Sequence, residues 1–96
     1  MELEFNNENG CLIVKIMGKL DTMTAPKLEE ELSKNLENIE SIVFDLEELK
    51  YISSSGIRVL LTVKKKIENM KILKPTDEVF EVFEITGLVD LFNIEK

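Results

Sequence analysis

Histidine and tryptophan are absent from this chain, and cysteine occurs once, at Cys11. Without histidine there is no Ser-His-Asp or Cys-His nucleophile system, and the commonest metal ligand and near-neutral proton shuttle is missing. One cysteine makes neither an internal disulfide nor a zinc cluster. Basic charge is also in short supply. Twelve Lys plus Arg against 19 Asp plus Glu leave a formal charge of −7 and a pI near 4.6, which argues against nucleic acid as the main ligand. No apolar run approaches the roughly 18 residues of a membrane span. The start, Met1-Glu2-Leu3-Glu4, lacks the basic-then-apolar order of a signal peptide. These absences favour a small acidic cytoplasmic interaction domain, with no cofactor and no membrane or nucleic-acid partner, over a self-sufficient enzyme.

What is present is enough to fold. Hydrophobic residues make up 44% of the 96 residues, and only two prolines and four glycines interrupt them, so the chain lies outside the disordered range. A chain of this size buries about 60–65% of its unfolded surface. One domain over residues 1–96 is therefore expected.

Leu3 to Phe5 and Cys11 to Met17 read as strands, and Asn6-Asn7-Glu8-Asn9-Gly10 between them as a turn cluster ending in Asn-Gly, a strong hairpin signal. In the second strand Leu12, Val14 and Ile16 share one face, while Cys11, Ile13, Lys15 and Met17 share the other. That second face is apolar enough to suggest that the strand is covered on both sides or sits near the sheet centre, with Cys11 buried. Gly18-Lys19-Leu20-Asp21 should break the strand. Thr24 should cap a helix with Pro26 in its first turn, an i, i+4 stripe of Leu28, Leu32 and Leu36, and Glu29, Glu30 and Glu31 near its positive end.

Ser41 to Leu46 reads as a strand buried on both faces, as in parallel sheets, and Glu47 to Ile52 as a loop. Ser53-Ser54-Ser55-Gly56 then precedes helically spaced Ile57, Leu60, Leu61 and Lys64. Lys71 to Lys74 makes a short strand. Thr76 caps a last helix that Gly87 ends, with one more turn over Leu88 to Phe92. The order β-β-α-β-α-β-α describes an α/β fold: a mixed β-sheet of about four to five strands with three to four helices. The exposed edge of the first hairpin could pair with a second copy, so a monomer or weak homodimer is expected.

The serine cluster is the one unusual feature. A plain N-cap needs one serine, and there are three. A helix start also tolerates an anion, and a phosphoserine adds roughly −2 of charge. Gly56 behind it would let another backbone come close. There is no Gly-x-Ser-x-Gly elbow and no phosphate-binding glycine loop that would support an enzyme.

Glu47 through Leu61, containing Tyr51-Ile52-Ser53-Ser54-Ser55-Gly56-Ile57-Arg58, resembles the signature of bacterial anti-sigma factor antagonists, whose domain type is called STAS. Gly18-Lys19-Leu20-Asp21 resembles that family's Gly-x-Leu/Ile-Asp, and Phe83-Glu84-Ile85-Thr86-Gly87-Leu88 its Phe-Asp-x-Ser/Thr-Gly-Leu. The resemblance covers essentially the whole chain. It implies a STAS-like fold and a partner switch. In such a switch the unphosphorylated protein binds an anti-sigma factor that is also a serine kinase, phosphorylation releases it, and a serine phosphatase restores it. Carried over, the acceptor is Ser54, with Ser53 the runner-up because it stands where the family has Asp. Asp21, Ser53, Ser55, Gly56, Ile57 and Arg58 become candidates for the partner surface. Asp21 has an equal alternative as a turn residue, and Arg58 can pair with a phosphate or an acidic partner. A scaffold or ligand-sensing domain without a phosphorylation cycle is the competing reading.

Overall fold

A computed structural model describes residues Met1–Lys96. The chain runs β1 (Glu2–Glu8), β2 (Cys11–Leu20), α1 (Ala25–Ser33), β3 (Ser41–Asp45), β4 (Leu49–Ile52), α2 (Ser54–Lys66), β5 (Met70–Leu73), α3 (Asp77–Ile85) and β6 (Asn93–Glu95). Six strands form one mixed sheet in the order β1-β2-β3-β5-β6, with β4 paired to the far end of β2. β1 is antiparallel to β2, and the remaining pairings are parallel.

The hairpin forms as expected, but β1 continues through Asn6, Asn7 and Glu8, expected as part of the turn. Glu8 faces Cys11, and Asn9 and Gly10 both take positive φ, 53° and 89°, as a two-residue turn of matching twist requires.

Gly18 does something other than end a strand. It adopts φ 94°, and the register of β2 shifts between Gly18 and Lys19. This is a β-bulge, a glycine-tolerant kink that re-aims a strand. Before it, Cys11 to Lys15 pair with β3; after it, Gly18 to Leu20 pair with β4. The strand therefore continues to Leu20, and Glu47 to Ile52, expected as a loop, contains the strand that the bulge receives.

From β2 to β3 to β5 to β6 each parallel step moves the same way across the sheet. Right-handed crossovers then place the helices on one face only. Leu12, Val14, Ile16, Ile42, Phe44 and Ile72 point into that side and are essentially fully buried. They meet Leu28, Leu32, Leu60, Val63, Val79 and Phe83 in one core cluster. The other face, with Cys11, Ile13, Val43 and Asp45, is only half-buried. Cover on both faces of β2 and β3 is thus corrected: β2 lies inside the sheet between β1 and β3, the alternative reading of its apolar second face, and Cys11 is a half-buried residue of the open face.

The start of α1 also differs from expectation in two ways. Thr24 sits at the N-cap of α1 but makes no side-chain cap; its hydroxyl donates to the Lys19 carbonyl at 2.9 Å. No acid lies in the first turn of α1, because the helix begins at Ala25 and Glu29 to Glu31 fall beyond that turn; it ends at Ser33, so Leu36 lies past its end. The stop of α3 follows the glycine rule. Gly87 takes φ 75°, Leu88 N–H donates to Phe83 O at 2.8 Å and Gly87 N–H to Glu84 O at 3.1 Å. This is the Schellman arrangement that closes a helix at a left-handed residue.

Candidate functional site

β2, β4 and β5 all end on one edge of the sheet, and the starts of α1, α2 and α3 lie there too. The carboxyl edge of a parallel sheet is where such folds place their chemistry, because loops and helix starts converge. Asp21 and the serine cluster meet at this edge. The connection is direct: Ser53 N–H donates to Leu20 O at 2.8 Å.

The three serines, indistinguishable in the sequence, have different surroundings. Ser53 is half-buried, in extended backbone (φ −99°, ψ 173°), and its Oγ accepts from Gly56 N–H at 3.3 Å. It is the N-cap of α2, a role that the aspartate of the resembling family would fill equally well. Ser55 Oγ lies 3.3 Å from Thr22 Oγ1, joining α2 to the loop after β2. Ser54 is exposed at the first helical position, and its hydroxyl has no hydrogen-bond partner in the chain. Among the three it is the one with a free nucleophilic oxygen facing solvent.

Gly56 and Ile57 are buried rather than presented. A Cβ on Gly56 would stand 2.6 Å from Leu20 Cγ, 2.9 Å from its Cδ2 and 3.0 Å from Ile52 Cγ1. The close approach that Gly56 allows is thus to two side chains, not to another backbone. Leu20 is fully buried and cannot swing away. Gly56→Ala is therefore expected to destabilise the fold by a net ~1–2 kcal/mol, overpacking of ~1–3 being offset by up to ~1 from better helix propensity. Denaturant unfolding checks this; an alanine variant more stable than the parent would contradict the packing.

Asp21 is half-buried and folded back onto its own loop. Its Oδ1 accepts from Thr24 N–H and Met23 N–H, each at 3.0 Å, and from Thr24 Oγ1 at 3.1 Å. The hydrogen bond from the Thr24 backbone, helped by the Thr24 hydroxyl and Met23 N–H, holds its carboxyl below the usual aspartate range. The carboxylate thus ties together the turn that carries Thr22 and Met23. A carboxyl depressed in the folded state stabilises it fully above the ordinary aspartate pKa and loses that contribution as pH falls through the lowered value. Asp21→Ala should therefore lower the melting temperature at pH 7, and the gap from the parent should close as pH drops below about 4. A gap independent of pH would show that the carboxylate is not the cause.

Arg58 is exposed on α2, one turn beyond Ser54. It lines a shallow groove of about 270 Å³ with Thr22, Glu29 and Ser55. Two residues escaped the sequence reading. Thr22 is tied to Ser55, a contact between residues 33 apart that no local pattern signals. Met23 is 86% exposed beside the serines; an isolated apolar residue in a loop of threonines was its only sequence mark. A larger open hollow of about 600 Å³, near Met1, Glu48 and Thr76, involves none of the serines. No group of His, Cys, Asp or Glu is arranged to hold a metal ion, and no helix is long and apolar enough to cross a membrane.

Comparison with known proteins follows the same lines. The STAS domain family model matches residues 2–96. The anti-sigma-B factor antagonist of Staphylococcus aureus is 33% identical, covering 100% of this chain and 94% of its own. BtrV of Bordetella bronchiseptica is 37% identical over 98% of this chain and 85% of its own. In structure, SpoIIAA in its unphosphorylated form superposes with a TM-score of 0.84 at 19% identity, over 99% of this chain and 89% of that one. With the family model spanning nearly every residue and the S. aureus relative aligned from end to end, the chain belongs to the STAS domain family, among the anti-sigma factor antagonists.

Proposed function

We propose that the protein is a non-enzymatic, cytoplasmic partner switch in which Ser54 is the phosphate acceptor. Unphosphorylated, it binds an anti-sigma factor that is also a serine kinase and so frees a sigma factor for transcription. The kinase then transfers the γ-phosphoryl group of its ATP. A bond forms between phosphorus and Ser54 Oγ, the bond to ADP breaks, and the hydroxyl proton passes to a base of the kinase. The phosphorylated protein leaves, and a serine phosphatase restores the hydroxyl by hydrolysis.

The observation that carries this reading is the contrast among the serines. Ser53 is occupied as a cap and Ser55 as a link to Thr22, whereas Ser54 Oγ is exposed and unbonded. The departure from the family pattern at Ser53 then loses much of its force, because the N-cap hydrogen bond is retained. Asp21 supports the loop that carries Thr22 and Met23, and Gly56 and Ile57 seat α2 from below. The partner would meet Ser54, Ser55, Arg58 and Met23.

Incubation with the cognate kinase and ATP-Mg tests the assignment. One phosphate per chain is expected, mapped by peptide mass to Ser54, absent from Ser54→Ala and retained by Ser53→Ala. Labelling that Ser53→Ala alone removes would move the acceptor by one residue. No labelling at all, with binding intact, would favour a scaffold without a phosphorylation cycle.

A further inference from the structure

We propose that Arg58 is the internal partner of a phosphate on Ser54, so that modification also withdraws the chain's one arginine from the exposed surface. This rests on the reading of Ser54 as acceptor. Ser54 and Arg58 stand four residues apart on α2, the spacing at which helix side chains are neighbours. Helical side chains lean toward the N-terminus, so the long Arg58 side chain has the reach to meet a phosphate carried by Ser54 one turn back. Both residues are exposed, and neither side chain has a partner. Arg58 forms none of the chain's ion pairs, and only its carbonyl is engaged, by Thr62 Oγ1 at 3.0 Å.

The surroundings leave Arg58 to the phosphate. The first turn of α2 holds no acid, and its N-cap is Ser53 rather than a carboxylate that would compete. In the loop before α1, the Asp21 carboxylate is taken by Thr24 and Met23. From α1, Glu29 lines the groove with Arg58 without an ion pair to it. From β4, Lys50 lines a different hollow. The other 11 basic side chains are lysines, point charges, whereas a guanidinium presents a planar fork that matches phosphate oxygens in pairs. In the unphosphorylated protein Arg58 is thus free to meet an acidic group of the partner. A phosphate of nearly −2 would occupy it and leave the site net negative.

Phosphoserine placed genetically at position 54 provides the test without any kinase. The second ionisation of the phosphate, followed by phosphorus NMR at low salt, should lie about half a pH unit lower in the protein that keeps Arg58 than in the Arg58→Ala variant. Lys65→Ala, which removes an exposed cation farther along α2, should leave it unchanged. The Arg58 Nε–H signal should shift on phosphorylation. Identical ionisation with and without the Arg58→Ala substitution, or an equal effect of Lys65→Ala, would overturn the pairing. Because the phosphate is installed directly, that failure is separate from kinase mapping, which tests the acceptor itself.

Discussion

Replacing Ser54 by aspartate should weaken binding of the anti-sigma partner by roughly 30-fold or more, equivalent to at least about 2 kcal/mol. The size follows from placing an uncompensated charge where two surfaces close and lose water. The asymmetry follows from the helix. At the first position of α2 a negative charge meets the positive end of the helix, so the fold itself accepts it. Circular dichroism and the melting temperature should therefore match or slightly exceed those of the parent. Ser54→Ala separates charge from the loss of the hydroxyl and should bind nearly as tightly as the parent. Ser53→Asp supplies a second control, since aspartate caps a helix as well as serine does. Titration calorimetry of the variants against the partner reads the effect. Equal affinity for parent and Ser54→Asp would contradict a charge-operated switch at this position.

Phe83→Ala should cost about 3–5 kcal/mol, the range for deleting a buried aromatic ring. In a domain of this length that corresponds to a fall of roughly 15–30 °C in melting temperature. Phe83 is 0% exposed, and its ring meets Phe92 edge-on, 5.6 Å between centroids at 85°. Phe92 directly precedes β6, a strand of three residues that is otherwise held by its pairing with β5 and by the Lys71–Glu95 ion pair at 2.7 Å. The ring thus fastens the last strand to the helix before it. The Schellman hydrogen bonds use the Phe83 backbone and survive the substitution, so a loss near 1 kcal/mol would mean that the cap, rather than the ring, secures this end. Phe83→Leu, which keeps most of the volume, should lose distinctly less.

Much of the fold is legible because it is locally encoded. Asn9-Gly10 sets the hairpin, Ser53 and Thr76 cap α2 and α3, and Gly87 stops α3. The misses are cases where a distant partner decides. β4 shows no alternation, since Leu49 and Ile52 are buried around exposed Lys50 and Tyr51. It is a strand because the bulge at Gly18 re-aims β2 toward it. β6 is too short to carry a period. The apolar run in β3 predicted cover on both faces, yet the common direction of the crossovers leaves one face open. At the site, the resemblance supplied Ser54, but the sequence alone could not separate three adjacent serines. Their roles depend on Thr22, on the backbone N–H of Gly56 and on the packing of Leu20 against Gly56. Those packing contacts also give the sequence motifs their meaning. Gly18-Lys19-Leu20-Asp21 bends a strand and lays Leu20 against Gly56, while Phe83 to Leu88 ends a helix.

The proposed switch assigns both phosphoryl transfer and its reversal to the partners. That account stands or falls on one quantity, the affinity of the kinase-type anti-sigma partner before and after stoichiometric phosphorylation of the same sample. Calorimetry should find tight binding by the unphosphorylated protein, a loss of at least about 30-fold on phosphorylation at Ser54, and full recovery after phosphatase treatment. Unchanged affinity in the phosphorylated sample, with the phosphate mapped to Ser54, would contradict it.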